Sequence, residues 1–173
     1  MKKYWYLLAM MVCALTVMTA CGDDDEEGVS EEWKEVNRVE FLKVSGNKEY
    51  KELKSVSNGG SIYYKVIKEG TGTQPIYYNS TIKAYYTGTM INPDDYEKRY
   101  TFDKAEYPEQ DPQTFAVNGV VDGWITALQH MKEGDRWEVW IPYQLAYGTS
   151  GSNKIPGFTT LKFEMEVVEI VAP

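Results

Sequence analysis

The sequence predicts an α+β domain in which a curved antiparallel β-sheet wraps around one short helix, with a short N-terminal helical extension. Three observations predict it. Several segments between residues 61 and 171 are β-branched and aromatic, or alternate apolar with polar residues. One segment among them places apolar residues at helical spacing instead. A single helix with such a face has one sensible place to bury it, the concave side of a twisted antiparallel sheet. The 173 residues accommodate one domain with a core of ordinary size.

The chain opens on Met1-Lys2-Lys3, a short positive stretch, and Tyr4 to Val17 is an uncharged apolar run too short to span a bilayer comfortably. It reads as a secretory signal over residues 1–20. The run ends in Met18-Thr19-Ala20-Cys21, which resembles the lipobox of bacterial lipoproteins and predicts cleavage before Cys21 and lipidation of its thiol. Cys13 leaves with the signal, so the mature chain is expected to fold without a disulfide. Loss of Lys2 and Lys3 takes the formal charge from −8 to −10. Residues 21–30 form a tether carrying Asp23-Asp24-Asp25-Glu26-Glu27. As a solvated run it keeps the domain off the membrane. It also resembles the surface-export signal of lipoproteins in Bacteroidetes-type bacteria, which predicts a lipid-anchored envelope location, outer membrane and facing either side.

Residues 31–60 are expected to be a helical extension. Glu31 to Leu42 sets Trp33, Val36 or Asn37, and Glu40 or Phe41 at helical spacing, Glu49 to Leu53 suggests another turn, and Ser57-Asn58-Gly59-Gly60 is a loop. From Ser61 the strands begin, and the domain spans 61–171. Ile62 to Ile67 is the first, and Thr81 to Thr87 sets Ile82, Ala84 and Tyr86 against Lys83, Tyr85 and Thr87. Arg136 to Ile141 sets Trp137, Val139 and Ile141 against Arg136, Glu138 and Trp140. Leu161 to Val167 sets Leu161, Phe163, Met165 and Val167 against Lys162, Glu164 and Glu166. Between the second and third strands, Asp122 is placed to cap a helix, Trp124, Leu128 and Met131 share a face with Ala127, and Gly134 stops it.

Composition excludes much chemistry. With 18 Lys and Arg against 26 Asp and Glu, a basic nucleic-acid surface is not expected. One His and two Cys cannot supply an ordinary zinc site, and neither a metal nor a cofactor is expected. The only histidine, His130, reads as a solvent-facing helix residue, which removes Ser/His/Asp and Cys/His mechanisms. Gly70-Thr71-Gly72 ends a strand with no helix after it and makes no phosphate loop. The carboxylate pairs Asp94 and Asp95, in a turn, and Glu164 and Glu166, on an outward face, read as solvated surface.

Aromatic residues remain, 14% of the chain with 14 Tyr and 5 Trp. The stretches Ala84-Tyr85-Tyr86-Thr87-Gly88, Phe102-Asp103, Phe115-Ala116-Val117-Asn118-Gly119-Val120-Val121-Asp122-Gly123-Trp124, Leu145-Ala146-Tyr147-Gly148 and Ile155-Pro156 come in order before Leu161 and Phe163. Together with Ala127-Leu128, Met131 and Gly134 they resemble the FKBP-type peptidyl-prolyl isomerases over about residues 61–171. The resemblance implies a proline-binding pocket between sheet and helix, and proline-containing polypeptides as partners. It implies Trp124 as the pocket floor, Tyr86, Phe115, Val120, Val121, Ile155 and Phe163 as walls, and Phe102 closing one side. It implies Asp103 as the polar group near the twisting amide, Tyr147 as a hydroxyl donor to a substrate carbonyl, and the Val121 N–H as a second donor. The implied role is folding of exported or outer-membrane proteins. The N-terminal helix could serve dimerisation, as longer helical arms do in some relatives, but about a dozen residues can equally pack on their own domain, and a monomer is expected. The connection from Gly88 to Phe102 is longer than usual in the family. Phe102-Asp103 is followed by Lys104-Ala105, and Ser152 and Lys154 make the rim more polar. A module that binds proline peptides without turnover is therefore the alternative, and a glycan-binding surface lipoprotein, prompted by exposed aromatics, is a third reading.

Overall fold

The computed structural model describes residues 28–172, so the signal segment, Cys21 and most of the tether lie outside the described residues. A helix α1 (Glu31–Ser45) is followed by strands β1 (Lys51–Lys54), β2 (Ser61–Lys68), β3 (Thr81–Asn92), β4 (Asp95–Ala105) and β5 (Gln113–Ala116). Helix α2 (Asp122–Leu128) and strands β6 (Arg136–Ile141) and β7 (Leu161–Ala172) complete the chain. All pairings are antiparallel, in the order β1-β2-β6-β7-β3-β4. β5 pairs with Thr81 to Ala84 of β3, and β4 with Tyr86 to Asn92, so the two share one side of that strand.

The period-two reading holds for the inner strands. Ile62, Ile82, Ala84, Val139, Ile141, Leu161 and Val167 are fully buried, and they converge with Leu128 and Ala127 of α2 on the concave side. α2 is apolar almost all round: Gly123 to Leu128 are all buried, as expected of a helix enclosed by a sheet. Gly123 lets it lie against β6. A Cβ there would sit 2.3 Å from Ile141 Cγ2 and 2.8 Å from its Cδ1. Gly123→Ala gains about 1 kcal/mol of helix propensity at most and overpacks a site that cannot relax, at about 1–3 kcal/mol. Urea unfolding is expected to show a net loss of about 1–2 kcal/mol; an unchanged midpoint would mean the helix can lift from β6.

The structure differs from the sequence reading at five places. Glu49 to Leu53 is no helical turn: Lys51–Lys54 form β1, zipped to Ser61–Tyr64, because backbone pairing with a waiting strand outweighs the weak helix propensity of so short a segment. α1 runs to Ser45, a turn past Leu42, because Val44 is buried and Gly46 N–H closes the last turn on Leu42 O at 3.0 Å. Asp122 is the first helical residue, and the cap position is Val121, with no side-chain capping bond. The Asp122 carboxylate then favours the helix through the N-terminal dipole. α2 ends at Leu128 rather than reaching Met131, and exposed His130 sits in the turn after it. The long connection from Gly88 to Phe102, given no regular structure by the sequence, is the rest of β3 and most of β4, turning at Pro93-Asp94.

Trp140 was expected to point outward, and it does leave the concave side, yet it is only 8% exposed. α1 covers that convex face. Phe41 meets Tyr63 edge-on at 5.5 Å, Glu40 pairs with Arg99, and Arg99 and Lys162 lie 5.0 and 5.5 Å over the Trp140 ring. Cation–π contact and the cover of a helix explain an indole on the outer face.

Candidate active site

Residues from four strands, one helix and one loop meet at one end of the concave side. β3 alternates Ile82, Ala84, Tyr86, Gly88 and Met90 inward, and β7 sets Phe163 opposite Gly88. β5 contributes Phe115, opposite Ile82, and α2 contributes Trp124 at its first turn. β4 contributes two consecutive residues, which regular alternation forbids. The ladder resolves it: Gly88 faces Asp103 and Thr89 faces Thr101, so Phe102 is the extra residue of a bulge. The bulge re-aims the strand and brings both Phe102 and Asp103 to the concave side.

The rings pack edge to face around Trp124. Its centroid lies 5.4 Å from Tyr86, 5.2 Å from Phe115 and 5.2 Å from Phe163, and Phe102 stands 5.6 Å from Phe163 at 90°. Such pairs are favoured by the ring quadrupoles and fix the bowl's shape. Gly88 leaves room for it: a Cβ there would lie 2.6 Å from the Phe102 ring and 2.7 Å from that of Phe163. Reading this role from sequence needed only the observation that an inward-facing strand position carries no side chain beside aromatic partners.

Polar groups stand at the rim. Tyr86, 9% exposed, donates its hydroxyl to Asp103 Oδ2 at 2.7 Å, and Lys104 N–H donates to Oδ1 at 2.9 Å. Both oxygens of an otherwise exposed carboxylate are thus oriented. Burial, then the hydrogen bond to Asp103 and its charge, hold the Tyr86 phenol far above the ordinary tyrosine range. Burial and the Asp103 charge also push Tyr147 up. Both hydroxyls stay protonated donors through neutral pH.

Every residue expected at the site is at or near this bowl. Tyr86, Trp124, Ile155 and Phe163 belong to the core cluster, and Phe102, Phe115, Val120 and Val121 pack against it. The Val121 N–H has no acceptor among the described residues. Tyr147, 37% exposed, and Ile155, 7% exposed, come from the loop between β6 and β7. That loop is closed on itself by Gly151 N–H on Tyr147 O at 3.1 Å, by Phe158 N–H on Gly148 O at 3.0 Å, and by a bridge between Ser152 and Ile155. Two other concavities, of ≈ 830 and ≈ 490 Å³, lie on the charged convex face and beside α1. Neither contains Asp103, Trp124 or Phe163. No cluster of His, Cys, Asp and Glu among the described residues could hold a metal ion.

Fold and site define a class: a half-open sheet closed on one helix, with a rigid aromatic bowl sized by its rings and edged by one carboxylate and one phenol. Residues 72–168 match the family described as FKBP-type peptidyl-prolyl cis-trans isomerase. The chain belongs to that family. It is 37% identical over 134 residues to the FKBP-type 22 kDa peptidyl-prolyl cis-trans isomerase of Escherichia coli K12, covering 77% of this chain and 59% of that protein. It is 32% identical to the macrophage infectivity potentiator of Trypanosoma cruzi, over 91% of this chain and 76% of that one. Among solved structures, a peptidyl-prolyl cis-trans isomerase from Pseudomonas syringae pv. tomato superposes with a TM-score of 0.66 at 29% identity, covering 82% of this chain and 96% of that one. FkpA from Escherichia coli gives 0.67 at 28%, covering 82% and 60%.

Proposed function

We propose that this protein accelerates cis–trans isomerisation of peptide bonds preceding proline in polypeptides of the cell envelope. The observation that carries the reading is the aromatic bowl around Trp124 with the Tyr86–Asp103 hydrogen bond at its edge. A prolyl amide resists rotation because resonance keeps it planar, with a barrier of about 18–20 kcal/mol. Uncatalysed, it turns over tens of seconds to minutes. No bond need break, so the absence of a nucleophile–base pair at the site is no obstacle.

What the site has to do is hold the pyrrolidine ring and favour the twisted amide over the planar one. Twisting removes resonance and with it part of the amide's dipole, so a water-poor aromatic enclosure destabilises the planar form relative to the twisted one. Trp124, Phe163, Phe115 and Tyr86 supply that enclosure, with Val120, Val121 and Ile155 beside it and Phe102 closing a side. The Asp103 carboxylate faces the twisting bond, while the Tyr147 hydroxyl and Val121 N–H hold flanking carbonyls. Because both phenols titrate above the usual range, their contribution is expected to be flat from pH 6 to 9.

Lipid attachment at Cys21, a solvated tether over residues 21–30 and a place in the outer membrane complete the reading, supported by the lipobox-like and acidic segments of the sequence. No helix among the described residues is long and apolar enough to cross a membrane. We read the protein as a monomer because the buried face of α1, Trp33, Asn37 and Val44, is occupied by its own sheet and loop; sedimentation decides it. The primary experiment is the rate of cis–trans exchange in a short Xaa-Pro peptide with residues 28–173. Acceleration is expected, and a folded protein that binds proline peptides without it would establish the binding-module reading instead.

A further inference from the structure

The loop that carries Tyr147 and Ile155 is tied to α1 by two buried links across more than a hundred residues of chain. Trp33 Nε1–H donates to Gly157 O at 3.0 Å. One turn later, Asn37 Oδ1 accepts from Thr160 N–H at 2.8 Å, and Asn37 O accepts from Thr160 Oγ1 at 3.0 Å. Asn37 Nδ2–H also donates to Trp33 O at 2.9 Å, locking the two residues together. Trp33 and Asn37 are 3% and 1% exposed. A fully buried asparagine with its side chain spent on bonds of this kind specifies one docking position rather than mere adhesion. The Trp33 ring also stands 5.8 Å from Tyr96 at the start of β4. A single residue of α1 therefore touches both the strand that leads to Phe102-Asp103 and the loop that bears Tyr147.

We propose that Trp33 is a positioning residue: through Gly157 it fixes the Tyr147–Ile155 loop against the bowl, making α1 part of the isomerase site's support rather than a spacer. This rests on the function proposed above. Gly157 is suited to the task because it cannot move inward. A Cβ there would fall 1.8 Å from Thr149 O, so the chain passes as close to Thr149 as a backbone can. Fixing Gly157 thus fixes Thr149, two residues from Tyr147. A site held by locked neighbours binds without first ordering its own walls, and a loosened wall weakens binding even when every contact residue is present.

The test uses Trp33→Phe in the full chain, which keeps a ring against Tyr96 and removes the indole donor together with the indole's second ring. KM for an Xaa-Pro peptide is expected to rise about three- to ten-fold, the scale of one lost buried hydrogen bond, with kcat changed less. Hydrogen exchange at Gly151, Ile155 and Phe158 should quicken while the amides of β3 and β7 keep their protection. Thr160→Val, which removes the Oγ1 bond to Asn37 O and keeps the backbone N–H bond to Asn37 Oδ1, should act in the same direction, more weakly, if Trp33→Phe proves poorly folded. Val44→Ala, at the far end of α1, is the control: it should lower the melting temperature without moving KM. Unchanged loop exchange in Trp33→Phe, or an equal rise of KM in Val44→Ala, overturns the positioning role. A wild-type protein without isomerase activity overturns the function, and the exchange measurement then still decides whether the loop is clasped.

Discussion

Asp103→Ala is expected to lower kcat/KM for Xaa-Pro isomerisation by about ten- to hundred-fold, within the range for removing one oriented electrostatic group from a catalytic site. The carboxylate is held by two donors, Tyr86 O–H and Lys104 N–H, at 2.7 and 2.9 Å, so it needs no reorganisation when the amide twists. Its side chain is exposed, and the substitution should cost under about 1 kcal/mol of stability. A spectroscopic readout separates the electrostatic role from a structural one. The Asp103 hydrogen bond and charge both raise Tyr86; removing them must make the phenolate easier to form, so the Tyr86 titration shifts down in pH, with Tyr147 following in the same direction. A shifted titration with unchanged kcat/KM would leave Asp103 as the orienter of Tyr86 and nothing more.

The largest loss of stability is expected from Asp135→Ala. Asp135 is 4% exposed and both oxygens are engaged, Oδ1 by Gly70 N–H at 2.6 Å and Oδ2 by Lys132 N–H at 2.9 Å. The turn it closes is pinned from two further sides: Gly72 N–H donates to Glu133 O at 3.0 Å, and Gly134 N–H to Val167 O at 2.8 Å. Gly70 is there because nothing larger fits, since a Cβ would lie 2.3 Å from Glu133 O and 2.4 Å from Asp135 N. Alanine leaves two backbone donors at a buried position without their acceptor, at about 3 kcal/mol. That corresponds to a fall of about 6–12 °C in Tm for a chain of this size. Asp135→Asn should recover only part, because its NH₂ must face one of the two N–H groups. A loss below about 1 kcal/mol in both would mean the turn finds other partners.

The turn also explains why α2 stops early. The apolar pattern runs on to Met131, which is indeed buried, so helical spacing alone cannot show the break. The chain leaves the helix after Leu128 because the Asp135 turn, with Gly134 at φ +90°, demands another path. β4 and β1 were illegible for the opposite reason. Lys51-Glu52-Leu53-Lys54 and most of Asp95–Ala105 face water on the outermost positions of the sheet, where only Leu53, Tyr100, Phe102 and Ala105 meet the core, and so few apolar contacts leave no clear alternation to read. The inner strands, buried on the core side, were legible almost residue by residue. At the site, alternation placed Tyr86 inward and Tyr85 outward, while the pairing of Phe102 with Asp103 made sense only through a bulge. The Trp33–Gly157 bond had no signal at all, since it joins segments far apart in sequence by a contact that only the folded chain creates.

The sheet never closes into a barrel; β1 and β4 end its main strand order, and the short β5 is a further free edge beside β4. Lys51, Glu52 and Lys54 stud β1, and Glu97, Lys98, Arg99, Asp103 and Lys104 stud β4, all exposed. Another chain that tried to zip onto either end would strip water from a row of mixed charges, a penalty that discourages amyloid-like stacking. Such borders keep extended polypeptide from adhering indiscriminately along the sheet and leave the aromatic bowl as the open apolar surface.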